Sequence, residues 1–121
     1  MIYLSKYRDL QVWQKSMELV LRVYDLVELF PKEEMYALSS QRRRAVVSVP
    51  SNIAEGKGRC SDKAFLNHLS IARGSVAEVE TQILIATSLH YISREQSQSV
   101  LNVCEEVHKM LNALIKNIDS A

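Results

Sequence analysis

Three consecutive arginines, Arg42, Arg43 and Arg44, stand directly before an apolar run, and Lys57 and Arg59 follow in the next stretch of chain. Guanidinium and ammonium groups gathered on one surface can neutralise several phosphates at once. Arg43, Arg44, Lys57 and Arg59 are therefore candidate nucleic-acid-binding residues. The net charge of the chain is only +1, which by itself predicts no affinity for nucleic acid. Its distribution says more, because residues 31–60 carry the whole excess of positive charge. The opposing reading is a solvated basic face, which is what a charge run usually is. Arg42 differs from its neighbours: on a helical wheel it falls inside an apolar stripe, between Leu38 and Val46. A guanidinium there needs carboxylate or carbonyl partners, or must reach outwards at a subunit boundary.

A second set, Asn52, Glu55, Arg73 and Glu78, lies close to apolar stripes and reads as a structural polar cluster. Buried in a bundle, Arg73 would pair with Glu55 or Glu78 and fix the register of two helices. No nucleophile or base is recognisable beside them, so no catalytic residue is assigned and no enzyme is expected. Glu105 and His108 form one Glu-x-x-His, but a di-iron bundle needs two. The residues three before His68 and His90 are Phe65 and Thr87. Neither a metal nor a cofactor is expected. Gly56-Lys57-Gly58 lacks the spacing of a phosphate-binding loop and reads as a helix C-cap.

Cys60 and Cys104 are the only cysteines and form no Cys-x-x-Cys pair. They read as reduced thiols of a cytoplasmic protein, with Cys104 in the core. The first residues, MIYLSKYRDLQVWQK, hold no apolar stretch of signal-peptide length. No apolar run approaches the ~20 residues of a membrane span.

The elements that must position these residues are helices. Glycine and proline are scarce, at three and two, which disfavours an all-β fold with its many turns. Periodicity predicts helices over about 9–30, 33–56, 62–90 and 94–118. Asp9, Ser61 or Asp62, and Ser93 are the expected N-caps. In the first helix Leu10, Trp13, Met17, Val20, Leu21 and Tyr24 share one face. Val12, Leu19, Val23, Leu26 and Phe30 form an adjacent stripe, so the apolar arc is about 200° wide where one core contact needs about 100°. The third helix has a similar flank at Ile71, Ile85 and Leu89. Pro50 lies within the second helix, where the alignment of Val46, Val49 and Ile53 favours one helix kinked at Pro50 over two separate ones. Short connections between long helices imply antiparallel neighbours. The expected fold is all-α, a single domain over 1–121, an up-down-up-down antiparallel four-helix bundle. The doubled stripes point to a homo-oligomer because they are contiguous; the alternative is scattered surface apolar residues, which are normal.

Several segments also resemble a known family. These are Leu10-Gln11-Val12-Trp13-Gln14, Phe30-Pro31 followed by Glu34, Gln41 and Arg43-Arg44-Ala45. Ser48-Val49-Pro50, Asn52-Ile53-Ala54-Glu55-Gly56, Gly58-Arg59, Ala72-Arg73-Gly74-Ser75 and Glu78 complete the set. The chain resembles the four-helix-bundle proteins encoded by intervening sequences within bacterial 23S ribosomal RNA genes. It is similar, more distantly, to the accessory variability determinant of diversity-generating retroelements. The resemblance implies a homopentameric ring without enzymatic activity. The retroelement relative implies a basic surface presented to RNA and to a reverse transcriptase. Arg42 departs from the pattern, in which that position is usually apolar. The expected function is a non-enzymatic oligomer that binds structured RNA. The alternative is a structural or adaptor protein whose partner is another protein, with the arginines used between subunits.

Overall fold

The computed structural model describes residues 7–34 and 40–119, without the side chains of residue 34 and residues 40–42. Among the described residues the regular elements are all helical. They are α1 (Gln11–Val27), the single turn α2 (Lys32–Glu34), α3 (Ser40–Gly58), α4 (Asp62–Ser88) and α5 (Arg94–Asp119). A short helical turn over residues 7–9 precedes α1. The four long helices pack in the cyclic order α1, α3, α4, α5, with α1 and α4 at diagonal corners.

Their directions follow from the cross-helix contacts. Ser48 meets Ser75 and Asn52 meets His68, so α3 and α4 run antiparallel. Lys15 reaches Glu106 and Arg22 reaches Ser99, which sets α1 against α5 in the same sense. Arg73 and Glu80 of α4 meet Asn112 and His108 of α5. The result is the expected up-down-up-down bundle, with short connections from α3 to α4 and from α4 to α5; the second long helix starts at Ser40, not near residue 33, so twelve residues, 28–39, separate it from α1.

The core is filled by Leu19 and Val23 of α1, Val49 and Ile53 of α3, Leu69, Val76 and Ile83 of α4, and Val107 and Leu111 of α5. Burying each such side chain contributes about 1.5–3 kcal/mol. The wide arc of α1 divides in two. Val12, Leu19, Val23 and Leu26 are buried, whereas Leu21 is 66% exposed and Met17 and Tyr24 stand with it on the outer face. The α4 flank at Ile71, Ile85 and Leu89 is also exposed.

The helix ends differ in part from expectation. Ser61 caps α4 by accepting from the Ala64 amide. Ser93 caps α5 in a reciprocal box: its hydroxyl accepts from the Gln96 amide, and the Gln96 side chain accepts from the Ser93 amide. Asp9 does not cap α1. Leu10 holds that position without a side-chain bond, and the Gln14 side chain instead donates to the Arg8 carbonyl. Gly56 does not end α3, which continues to Gly58. The chain turns where Cys60 takes a left-handed φ of 58°.

The helix α3 passes through Pro50 without a break. Proline removes the amide that would bond to the Val46 carbonyl. Next to it, the Asn52 amide side chain donates to both the carbonyl and the hydroxyl of Ser48, adding bonds on the turn that loses one. Met35 and Leu38, expected on the second helix, lie outside the described residues.

Candidate nucleic-acid interface

The four candidate cations all belong to α3 and its exit, but the chain already engages most of them. Arg43 is half-buried. Its guanidinium lies 5.2 Å from the Tyr24 ring centre and 3.3 Å from the Glu28 carboxylate, both on the α1 side. Its Nε is buried without a hydrogen-bond partner. Arg44 is exposed and lines a shallow groove between α3 and α4 with Ala45, Ser48, Ser75 and Glu78. Lys57 is half-buried with its ammonium 5.4 Å from the Phe65 ring centre. Arg59 is exposed and donates to Glu55 at 2.6 Å. Thirteen residues at 1.5 Å each separate Arg44 from Lys57 by about 20 Å along the helix. The cations therefore form two groups at opposite ends of α3. The Arg42 side chain lies outside the described residues.

The proposed polar cluster is not one cluster. Arg73 is exposed on the α5 side of α4 and donates to Asn112 at 3.1 Å, rather than to Glu55 or Glu78. Glu78 accepts from Gln82, one turn along its own helix. Glu55 pairs with Arg59. The reason is angular: on α4 the positions of Arg73 and Glu78 point to different neighbouring helices.

Only Asn52 and Glu55 share a site, and His68 joins them. Asn52 donates through Nδ2 to Ser48, which leaves its Oδ1 to accept from His68 Nδ1 at 3.0 Å. Ser48 in turn meets the Ser75 hydroxyl at 2.9 Å. His68 Nε2 stands 3.9 Å from the Glu55 carboxylate. The hydrogen bond from Arg59 and, after it, the charge of His68 hold the Glu55 carboxyl below the usual carboxylate range. Gly56 lies behind this chain of polar groups. A Cβ built on it would stand 2.6 Å from the Cβ of His68, so α3 and α4 approach too closely there for any side chain.

These side chains link α3 to α4 through polar contacts. The described residues hold no three metal-ligating side chains placed for one ion. No helix among them is long and apolar enough to cross a membrane. Both cysteines are free, and burial pushes the Cys104 thiol up to about 12. A thiol of that pKa is not a nucleophile near neutral pH.

Comparison with known proteins places this bundle. The family described as 23S rRNA-intervening sequence protein matches residues 8–113. The chain belongs to that family. It is also similar to the crystal structure of a protein with unknown function from the S23 ribosomal protein family of Bacteroides thetaiotaomicron VPI-5482. The two share 31% identity and a TM-score of 0.81, over 87% of this chain and 98% of that one. No curated protein matches the chain.

This member of the 23S rRNA-intervening sequence family has one further polar pair with no mark in the sequence. His108 Nε2 donates to Glu80 at 2.9 Å, half-buried between α4 and α5. The Glu-x-x-His spacing drew attention to Glu105, but Glu105 pairs loosely with Lys109 on the solvent side. Nothing local marks Glu80 as the partner, since the pair spans 28 residues. His68 likewise has no local sign of its partner, since Asn52 is on another helix.

Proposed function

We propose that the chain is a non-enzymatic bundle that associates with copies of itself and presents the cations of α3 to structured RNA. The observation that carries this reading is the position of the exposed apolar stripes. They lie on α1 and α4, at diagonal corners of the bundle. Two different apolar faces on one chain favour head-to-tail contacts, which close into rings when the rotation allows. A homopentamer, as the family resemblance implies, is one such ring.

With α1 and α4 occupied by neighbours, the other two corners point to opposite surfaces of the assembly. Helix α3 carries four cationic residues and one carboxylate, whereas α5 carries three cationic residues and four carboxylates. One surface of the assembly is then cationic and the other weakly acidic. Repetition around a ring compensates for the small charge of each copy through avidity. The ion pair between Arg59 and Glu55 is exposed, and such pairs hold so weakly that phosphate can displace the carboxylate.

The test is electrophoretic mobility of a structured RNA with the protein across a salt series. The expected result is a retarded band at about 50 mM salt that weakens steeply as salt rises. No retardation, or retardation indifferent to salt, overturns the RNA part of this reading. The second reading is an adaptor for another protein, with arginines used between subunits. Against RNA and so in its favour stands Arg43, which the chain's own Tyr24 and Glu28 already engage and so withhold from phosphate.

A further inference from the structure

A carboxylate is out of place on a surface offered to phosphate, and the groove between α3 and α4 holds one. The groove has a volume of about 400 Å³ and is lined by Arg44, Ala45, Ser48, Ser75 and Glu78. The two helices run antiparallel through the contact of Ser48 with Ser75. Arg44 lies four residues before Ser48, and Glu78 three residues after Ser75. Both therefore stand one turn from the hydroxyls in the same direction, on opposite walls. Among the described residues neither closes an ion pair, with the other or with any third group. Two opposite charges on adjoining helices thus stay apart across open space.

The hydrogen bonds of the groove leave a definite set of free groups. Ser48 Oγ accepts from Asn52 Nδ2 at 3.0 Å and shares one hydroxyl proton with Ser75 Oγ at 2.9 Å. Two hydroxyls carry two protons, so one is left over whichever oxygen donates. Both serines are half-buried, and the spare proton has no acceptor among the described residues. Glu78 accepts from Gln82 through Oε2 at 3.3 Å and keeps Oε1 free. The guanidinium N–H groups of Arg44 are unengaged among the described residues. The groove therefore presents a donor at Arg44, a donor at the hydroxyls and an acceptor at Glu78.

We infer that this groove reads the edge of an unpaired guanine base. Around the guanine ring N7 and O6 accept, and beside them N1–H and the N2 amino group donate. Arg44 donates to N7, the spare hydroxyl proton goes to O6, and the Glu78 carboxylate accepts from N1–H and N2–H. The small side chains of Ala45, Ser48 and Ser75 leave room for a planar ring. Adenine would turn the lone pair of its N1 towards the carboxylate, and uracil offers that carboxylate one N–H instead of two. In a duplex this edge is already paired, so the guanine belongs to a loop or bulge. The inference rests on the RNA reading proposed above and gives Glu78, which phosphate alone would avoid, a part in it. Lys57 and Arg59, at the far end of α3, keep the phosphate contacts.

The test is fluorescence anisotropy of the full chain with hairpin RNAs at about 50 mM salt. The hairpins differ in one base of an otherwise uridine loop, which is guanine, inosine, 7-deazaguanine or adenine. Inosine lacks the N2 amino group and 7-deazaguanine lacks the N7 acceptor. The unaltered chain is expected to bind the guanine RNA about tenfold more tightly than the inosine RNA, with adenine weaker still. Glu78→Ala should abolish the preference for guanine over inosine without weakening the inosine RNA, because a charge that repels phosphate has gone. Arg44→Ala should abolish the preference over 7-deazaguanine and weaken every RNA. Both residues are exposed, so the core is untouched. Hairpins bound equally whatever the base would overturn this inference and leave the RNA reading standing. A guanine preference that survives Glu78→Ala would place the base outside this groove and overturn it as well. No binding of any hairpin would overturn the RNA reading and this inference together.

Discussion

Gly56 and Gly74 sit on neighbouring helices and answer to different neighbours. At Gly56 a side chain would collide with His68, 2.6 Å away, so the residue is dictated by the contact of α3 with α4. At Gly74 any side chain fits the isolated chain, so nothing within the chain dictates it. The seam between α3 and α4 is thus closed at Gly56, whereas Gly74 stands exposed on α4 with open space at its Cβ. Glycine in a helix therefore has two readings, an internal close approach or a surface reserved for something outside, and the space around its Cβ separates them.

The contrast can be broken by substitution. Gly56→Leu should cost about 3 kcal/mol, because the helices must separate to admit the side chain. Urea unfolding measures this, and an unchanged midpoint would mean that the close approach is not there. Asn52→Ala removes the link between Ser48 and His68, at an expected cost of about 1–2 kcal/mol from polar groups left without partners. A loss equal to that of a surface alanine substitution would show that the polar chain does not hold the seam. Gly74→Ala has the opposite sign. It should stabilise the single chain by about 0.5–1 kcal/mol. Destabilisation measured under conditions where the chain is dissociated would put Gly74 in the same class as Gly56.

The smallest effect concerns pH. The Glu55 carboxyl is held low in the folded chain, by Arg59 first and His68 second. Its contribution to stability is therefore present at neutral pH and is lost as pH falls through the depressed value. Acid unfolding of Glu55→Gln should lie below that of the unaltered chain near neutrality and converge with it in acid. Curves that stay parallel would mean that the pair with Arg59 adds nothing to the fold.

The helices were legible because apolar periodicity reports which face of a helix is inward. Ser61 and Ser93 were legible as caps because their signal lies within one turn. Partners across the bundle were not, since a wheel gives the angle of a side chain without the depth at which it meets a neighbour. The sequence therefore suggests Glu55 or Glu78 for Arg73, whereas its angle on α4 carries it to Asn112 on α5. Gly56-Lys57-Gly58 looked like a helix stop because two glycines flank a lysine. The closeness of His68 to Gly56 is a property of two helices and has no local mark. The doubled stripe of α1 was readable as excess apolar surface, but which half faces outwards was decided by the packing.

The central claim is that these outward stripes are covered by other copies of the chain. Sedimentation of the unaltered protein over a range of micromolar concentrations tests it most directly. The expected result is a single species at a fixed multiple of the 13.8 kDa chain. A mass of 13.8 kDa at every concentration would contradict the claim.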